Sequence, residues 1–175
     1  MLERIWSGWR SSYVTAAPVR NGDEPTEPGS VFTRLLRSGA PDSETHIVHR
    51  GDTCFVVVNL FPYTAGHLLV VPYREVADLD GLTEQETADL WATVTDAVRV
   101  VRSVYAPDGL NVGLNLGRPA GGSVPDHLHI HVVPRWTGDS NFMSAISNTP
   151  TRPAAIVDTA AKLRAGWAAA TPDGQ

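Results

Sequence analysis

Residues 126–133 read Asp-His-Leu-His-Ile-His-Val-Val, an alternation of imidazole and aliphatic side chains. Successive side chains of a β-strand point to opposite faces. As a strand, the segment puts His127, His129 and His131 on one face and Leu128, Ile130 and Val132 on the other. The aliphatic face suits a hydrophobic core. Three imidazoles cannot be buried without partners, because each carries a pair of polar nitrogens. That face must therefore meet a ligand, a metal or a matched hydrogen-bond network. Three readings follow. The face is simply open to solvent, or it holds a metal, since histidines two apart on a strand can ligate zinc. Or it performs covalent catalysis, one neutral imidazole attacking an electrophile while the others set its tautomer and position.

The flanks favour the third reading. Immediately upstream lies Gly117-Arg118-Pro119-Ala120-Gly121-Gly122-Ser123, a loop of small residues. Glycines let backbone N–H groups approach an anion closely, and concave amide clusters bind phosphate. Ser123 adds a hydroxyl donor and Arg118 a cation. No cluster of carboxylates or cysteines stands nearby to complete a metal shell, and Asp126 is the only adjacent acid.

The rest of the chain reads as the scaffold of one α+β domain spanning 1–175. Leu2 to Tyr13 has the spacing of a short amphipathic helix, and the Pro- and Gly-rich stretch from Ala16 to Ser30 reads as a loop. Strands are expected at His46–Arg50 and Thr53–Leu60, joined across Gly51-Asp52, and at Leu68–Val71. A long helix follows over Glu84–Tyr105. Thr83 and Glu86 have capping-box spacing, and Leu90, Trp91, Val94, Ala97, Val98 and Val101 form its apolar face. Asn111–Leu116 and Leu128–Val133 are the fourth and fifth strands, and Arg152–Trp167 a terminal helix. The expectation is an antiparallel sheet of about five strands, one long helix between the third and fourth strands, and a C-terminal helix. The core covers about 45–136, with an N-terminal helix and loop over 1–44 and a C-terminal extension over 137–175.

Fourteen Lys and Arg against nineteen Asp and Glu leave a formal net charge of −5. That balance argues against nucleic acid as a partner, whose binding rests on excess positive charge. The single cysteine, Cys54, sits in an apolar run and reads as a small buried hydrophobe in a reducing compartment. No leader pattern and no membrane-length apolar stretch is present, so the expected location is the cytoplasm.

Two motifs resemble the histidine triad (HIT) family. His127-Leu128-His129-Ile130-His131-Val132-Val133 matches its signature of histidines alternating with apolar residues. Pro62-Tyr63-Thr64-Ala65-Gly66-His67-Leu68-Leu69-Val70-Val71-Pro72 is similar to its Pro-x-x-x-Gly-His-x-Leu-Val-x-Pro segment. The likeness covers about Ile47 to Arg135, and the ends resemble an actinobacterial branch. The resemblance implies a HIT fold and nucleotidyl transfer at an α-phosphate, with diadenosine tetraphosphate and inorganic phosphate giving ADP and ATP. It implies that His129 is the nucleophile and forms an adenylyl-histidine. His131 would hydrogen-bond a phosphate oxygen, and His127 would support the geometry. By position, Asn59 would contact ribose hydroxyls, and Asn115, Gly122 and Ser123 the phosphates. His67 would orient the triad, and Trp136 would flank a base. For His67 a satisfied core histidine stands as the alternative, for Asn59 and Asn115 strand-end capping, and for Trp136 simple packing. No metal site and no obligatory cofactor is expected, Mg²⁺ entering only with the polyphosphate. Relatives imply a homo-oligomer, at least a dimer.

The chain departs from the family in places. Many hydrolase-type members carry Gln where Ser123 stands, whereas transferase branches often replace the third histidine, here retained as His131. The usual Pro-Lys-x-His is replaced by Pro72-Tyr73-Arg74-Glu75, and the metal-binding cysteines of some bacterial relatives are missing. A HIT hydrolase releasing AMP from dinucleoside polyphosphates or adenosine phosphoramidates is the alternative activity.

Overall fold

A computed structural model of the chain describes residues 28–139 and 155–170. The helix expected at Leu2–Tyr13 and nearly all of the loop from Ala16 to Ser30 lie outside the described residues. In chain order the elements are α1 (Val31–Arg37), α2 (Asp42–Thr45), β1 (Ile47–Arg50), β2 (Cys54–Val58) and β3 (Leu68–Pro72). They continue with α3 (Glu84–Tyr105), β4 (Gly109–Leu114), β5 (Ile130–Arg135) and α4 (Ile156–Ala170), with short 3₁₀ turns at Leu79–Gly81 and Arg118–Ala120. The five strands form one antiparallel sheet in the order β1-β2-β3-β5-β4. No described helix is long and apolar enough to cross a membrane.

The expected α+β architecture is present, with the long helix between the third and fourth strands. Its bounds are those expected, and Thr83 and Glu86 form the full capping box. Cys54, Val56, Val58, Leu68 and Val70 turn one face of the sheet toward Leu90, Val94, Ala97, Val100 and Val101 of α3 and toward Ala160, Leu163 and Trp167 of α4. Cys54 is buried as expected, its Sγ 3.2 Å from Thr93 Oγ1. Trp91 is not in this core: it remains 43% exposed, and Val100 takes its place. Gly166 lets α4 close on α3, because a methyl group there would overlap Val104.

The opposite face of the sheet is covered too. Ile47, Phe55, Val57, Leu69 and Val71 pack with Phe32 of α1, and Leu35, Leu36, Tyr73 and Val124 close around them. A buried side chain of this size contributes about 1.5–3 kcal/mol, so this second layer is a substantial part of the fold. It was not anticipated, because α1 begins where a loop was expected to end. Ser30 caps it, its side chain accepting the backbone N–H of Thr33.

Strand limits differ from expectation in places: β2 stops at Val58 rather than Leu60, and the starts of β4 and β5 move. β4 runs two residues earlier, over Gly109–Leu114, which leaves Asn115 and Leu116 beyond the ladder. β5 starts at Ile130 rather than Leu128 because the chain before it bonds elsewhere: Leu128 N–H donates to Val76 O at 2.6 Å. The alternation survives this, since Leu128, Ile130 and Val132 all enter the α3 side of the core.

Candidate active site

β5 pairs with β3 and β4 so that His131 lies across from Leu69 on one side and Gly113 on the other. Leu69 belongs to the layer beneath α1, which places the histidine face on that same side of the sheet. The three rings are not equivalent. His127 is fully buried and His129 nearly so at 5% exposure, while His131 is only half-buried. The face therefore runs from a closed end under α1 to an open end at the loops. Phe32 contacts the closed end, its ring centroid 5.4 Å from His127 and 5.3 Å from His129.

The hydrogen bonds fix which nitrogen of each ring carries a proton. His127 Nε2 stands 2.8 Å from the carbonyl oxygen of Pro72, which can only accept, so Nε2 donates. His129 Nδ1 stands 2.9 Å from the carbonyl oxygen of His127 and donates to it. In a neutral ring that leaves His129 Nε2 with a lone pair. The backbone N–H of Tyr63 donates to His67 Nδ1 at 3.1 Å. His67 Nε2 then carries the proton and donates to His131 Nδ1 at 2.9 Å. By the same logic, His131 presents an N–H at Nε2, and the Asn115 amide lies 3.5 Å from that nitrogen.

Burial keeps these rings neutral. Desolvation lowers the pKa of His127 and of His129 from that of free imidazole. For His131, burial and the neighbouring His129 push it down to about 4. Burial, with His131 and His129 beside it, pushes His67 to about 3. A neutral imidazole with its lone pair at Nε2, next to an imidazole N–H donor, can attack an electrophilic phosphorus while a phosphoryl oxygen is held.

The other expected residues surround this group. Asn59 ends β2. Its Nδ2 is 3.3 Å from His67 Nδ1, and its Oδ1 accepts the N–H of Phe61, so it both shapes the turn and contacts His67. Gly122 lies against Asn115, where a Cβ would come 3.3 Å from Gly117 O and 3.7 Å from Asn115 Cβ. The Gly117–Ser123 loop is thereby drawn to the strand end that reaches His131, with Ser123 exposed. Among the described residues the Trp136 ring meets Tyr105 edge-on at 6.4 Å rather than a histidine. Three residues not expected belong to the site. Tyr63 stacks near His67 and His131 at 4.8 and 6.1 Å. Phe32 and Ser30 close its buried end. The apolar spacing of Phe32, Leu35 and Leu36 behind Ser30 was the available signal.

Both ring nitrogens of His127 are engaged, by Ser30 and by Pro72, and Nδ1 of His129 and of His131 have internal partners. Among the described residues no group of three or more His, Cys, Asp or Glu is arranged to hold an ion.

Comparison with known proteins adds four findings. The HIT domain family model matches residues 40–138. The chain is 45% identical over 168 residues to the AP-4-A phosphorylase of Mycobacterium tuberculosis, covering 95% of this chain and 85% of that protein. It is 36% identical over 95 residues to the asymmetrical bis(5'-nucleosyl)-tetraphosphatase of Schizosaccharomyces pombe, covering 54% and 52%. Among solved structures it is similar to a zinc-bound histidine triad family protein from Mycobacterium smegmatis. That match has a TM-score of 0.65 and 27% identity, and covers 81% of this chain and 94% of that one.

Proposed function

The chain belongs to the HIT domain family, and on that premise we propose that it is an enzyme that splits diadenosine tetraphosphate with inorganic phosphate into ADP and ATP. The observation that carries the reading is the bond from His129 Nδ1 to the carbonyl of His127. It leaves a buried, neutral lone pair at Nε2, in a chain 45% identical to a phosphorylase of this dinucleotide.

In the first step His129 Nε2 attacks the α-phosphorus. A P–N bond forms, the P–O bond to the remaining phosphates breaks, and ATP leaves. In the second step an oxygen of inorganic phosphate attacks the same phosphorus, the P–N bond breaks, and ADP leaves. Nδ1 keeps its proton throughout. His131 donates its Nε2 proton to a phosphoryl oxygen, and His127 holds the geometry. Asn115, Gly122 and Ser123 receive the phosphates, Asn59 the ribose hydroxyls, and Trp136 flanks a base. Charge spread over phosphoryl oxygens is stabilised mainly by such prepositioned donors. No step passes through a bound metal of the protein, and Mg²⁺ arrives with the polyphosphate.

The reading includes one domain over the 175 residues, a cytoplasmic location and a homo-oligomer. Val112, 42% exposed on β4 at the edge of the sheet, supports a further copy pairing there. A HIT hydrolase releasing AMP is the second reading, favoured by the retained His131 and by the likeness to the yeast tetraphosphatase. The test is a product assay on diadenosine tetraphosphate across phosphate concentrations. Phosphorolysis yields ADP and ATP at a rate that rises with phosphate. AMP formed regardless of phosphate sinks it in favour of the hydrolase.

A further inference from the structure

The first turn of α1 reaches a histidine 97 residues away. Ser30 Oγ lies 2.6 Å from His127 Nδ1, in the interior. Since His127 Nε2 donates to Pro72 O, Nδ1 of the neutral ring holds a lone pair, and the Ser30 hydroxyl proton points to it. The Ser30 oxygen meanwhile accepts the Thr33 N–H at 3.1 Å as the helix cap. Glu75 accepts the backbone N–H of Ser30 at 2.9 Å and the hydroxyl of Thr33. The helix start, the segment after β3 and His127 are thus joined in one hydrogen-bonded clasp.

The peptide unit between His127 and Leu128 is pinned at both ends. Its carbonyl accepts His129 Nδ1–H at 2.9 Å, and its N–H donates to Val76 O at 2.6 Å, one residue after Glu75. A His127 ring held at both nitrogens leaves that carbonyl little freedom to turn. The carbonyl in turn determines which nitrogen of His129 keeps the lone pair.

We propose that Ser30 is a positioning residue for nucleotidyl transfer: its hydroxyl holds His127 so that the His127 carbonyl keeps the His129 lone pair at Nε2. The kinetic consequence rests on the reading of His129 given above. Were Ser30 only a helix cap, losing its hydroxyl would cost stability and leave turnover by the folded enzyme unchanged.

Two variants separate these roles. Ser30→Gly caps a helix nearly as well as serine but has no hydroxyl, and Ser30→Thr keeps one. The readouts are kcat and KM for diadenosine tetraphosphate at saturating phosphate, and the ¹⁵N resonances of the His127 ring in the full chain. In the wild type His127 shows its proton on Nε2. In Ser30→Gly, kcat falls about tenfold or more with KM within threefold, as small misplacements of reacting groups produce, and the His127 Nδ1 resonance shifts as its bond to the Ser30 hydroxyl is lost. Ser30→Thr stays within threefold of wild type in both. A wild-type His127 protonated on Nδ1 overturns the proposal, whether or not any variant folds. So does a Ser30→Gly enzyme with unchanged kcat or an unchanged ring pattern, or a Ser30→Thr enzyme as impaired as Ser30→Gly. The ring resonances report on Ser30 even if the nucleophile proves to be another residue, which keeps the two failures apart.

Discussion

His67 Nε2 stands 2.9 Å from His131 Nδ1, and the Tyr63 N–H behind His67 sets the direction of that bond. A backbone amide on the turn before β3 therefore dictates, through two rings, that His131 presents an N–H to the open end of the site. Neutral His67 is a directional connector here, and its burial keeps it from taking a second proton.

Removing the connector should cost rate more than affinity. His67→Ala frees His131 to adopt either tautomer, and kcat is expected to fall roughly tenfold to a hundredfold with a smaller change in KM. Steady-state kinetics on diadenosine tetraphosphate check this. A wild-type kcat would show that His67 is only a satisfied core residue.

Acid should destabilise the fold well above the carboxylate range. Free imidazole titrates near 6.5, while folded His67 is pushed down to about 3 and His131 to about 4. Between pH 6.5 and those values the unfolded chain binds protons that the folded chain refuses. The stabilisation is therefore complete above pH 6.5 and is lost as pH falls, at about 1.4 kcal/mol per unit for each such histidine. Urea-unfolding midpoints should fall steadily from pH 6.5 to 5. A midpoint constant over that window contradicts the assignment.

Turnover should tolerate acid better than a free imidazole would. Desolvation lowers the pKa of His129, so its neutral, nucleophilic form persists below pH 6.5. The acidic limb of kcat/KM is expected below 6.5 over the range where the protein stays folded. A limb above 6.5 would mean that the nucleophile is stabilised as a cation.

Gly66 ties α3 to the site. It adopts φ +80°, and a Cβ there would lie 2.7 Å from Tyr105 Cε2 at the end of α3. Gly66→Ala meets both the left-handed backbone penalty and this overlap, for an expected loss of about 1–3 kcal/mol. Activity should fall with it, because the next residue is His67. Denaturant unfolding and kcat measure the two effects, and an alanine enzyme matching wild type in both would refute the coupling.

Features written in local periodicity were legible from the chain alone. The His127–His131 alternation, the capped helix over Glu84–Tyr105 and the hairpin across Gly51-Asp52 needed no knowledge of distant partners. α1 was missed because its meaning is tertiary: Phe32 packs on rings, and Ser30 bonds to one, almost a hundred residues onward. The unbroken apolar run Cys54–Val58 is buried on both faces of the sheet, the second face by the layer under Phe32. The starts of β4 and β5 moved because backbone partners such as Val76, not side-chain alternation, decide where a ladder begins. Glu75 carried no local mark, since its partners Ser30 and Thr33 lie more than forty residues away.

The central claim is that His129 Nε2 carries the adenylyl group. Enzyme quenched after a brief exposure to diadenosine tetraphosphate without phosphate, then mapped by peptide mass spectrometry, tests it directly. One adenylyl group on His129, absent from His129→Ala and discharged as ADP when phosphate is added, is the predicted result. An adduct on another residue, or full turnover by His129→Ala, would contradict it.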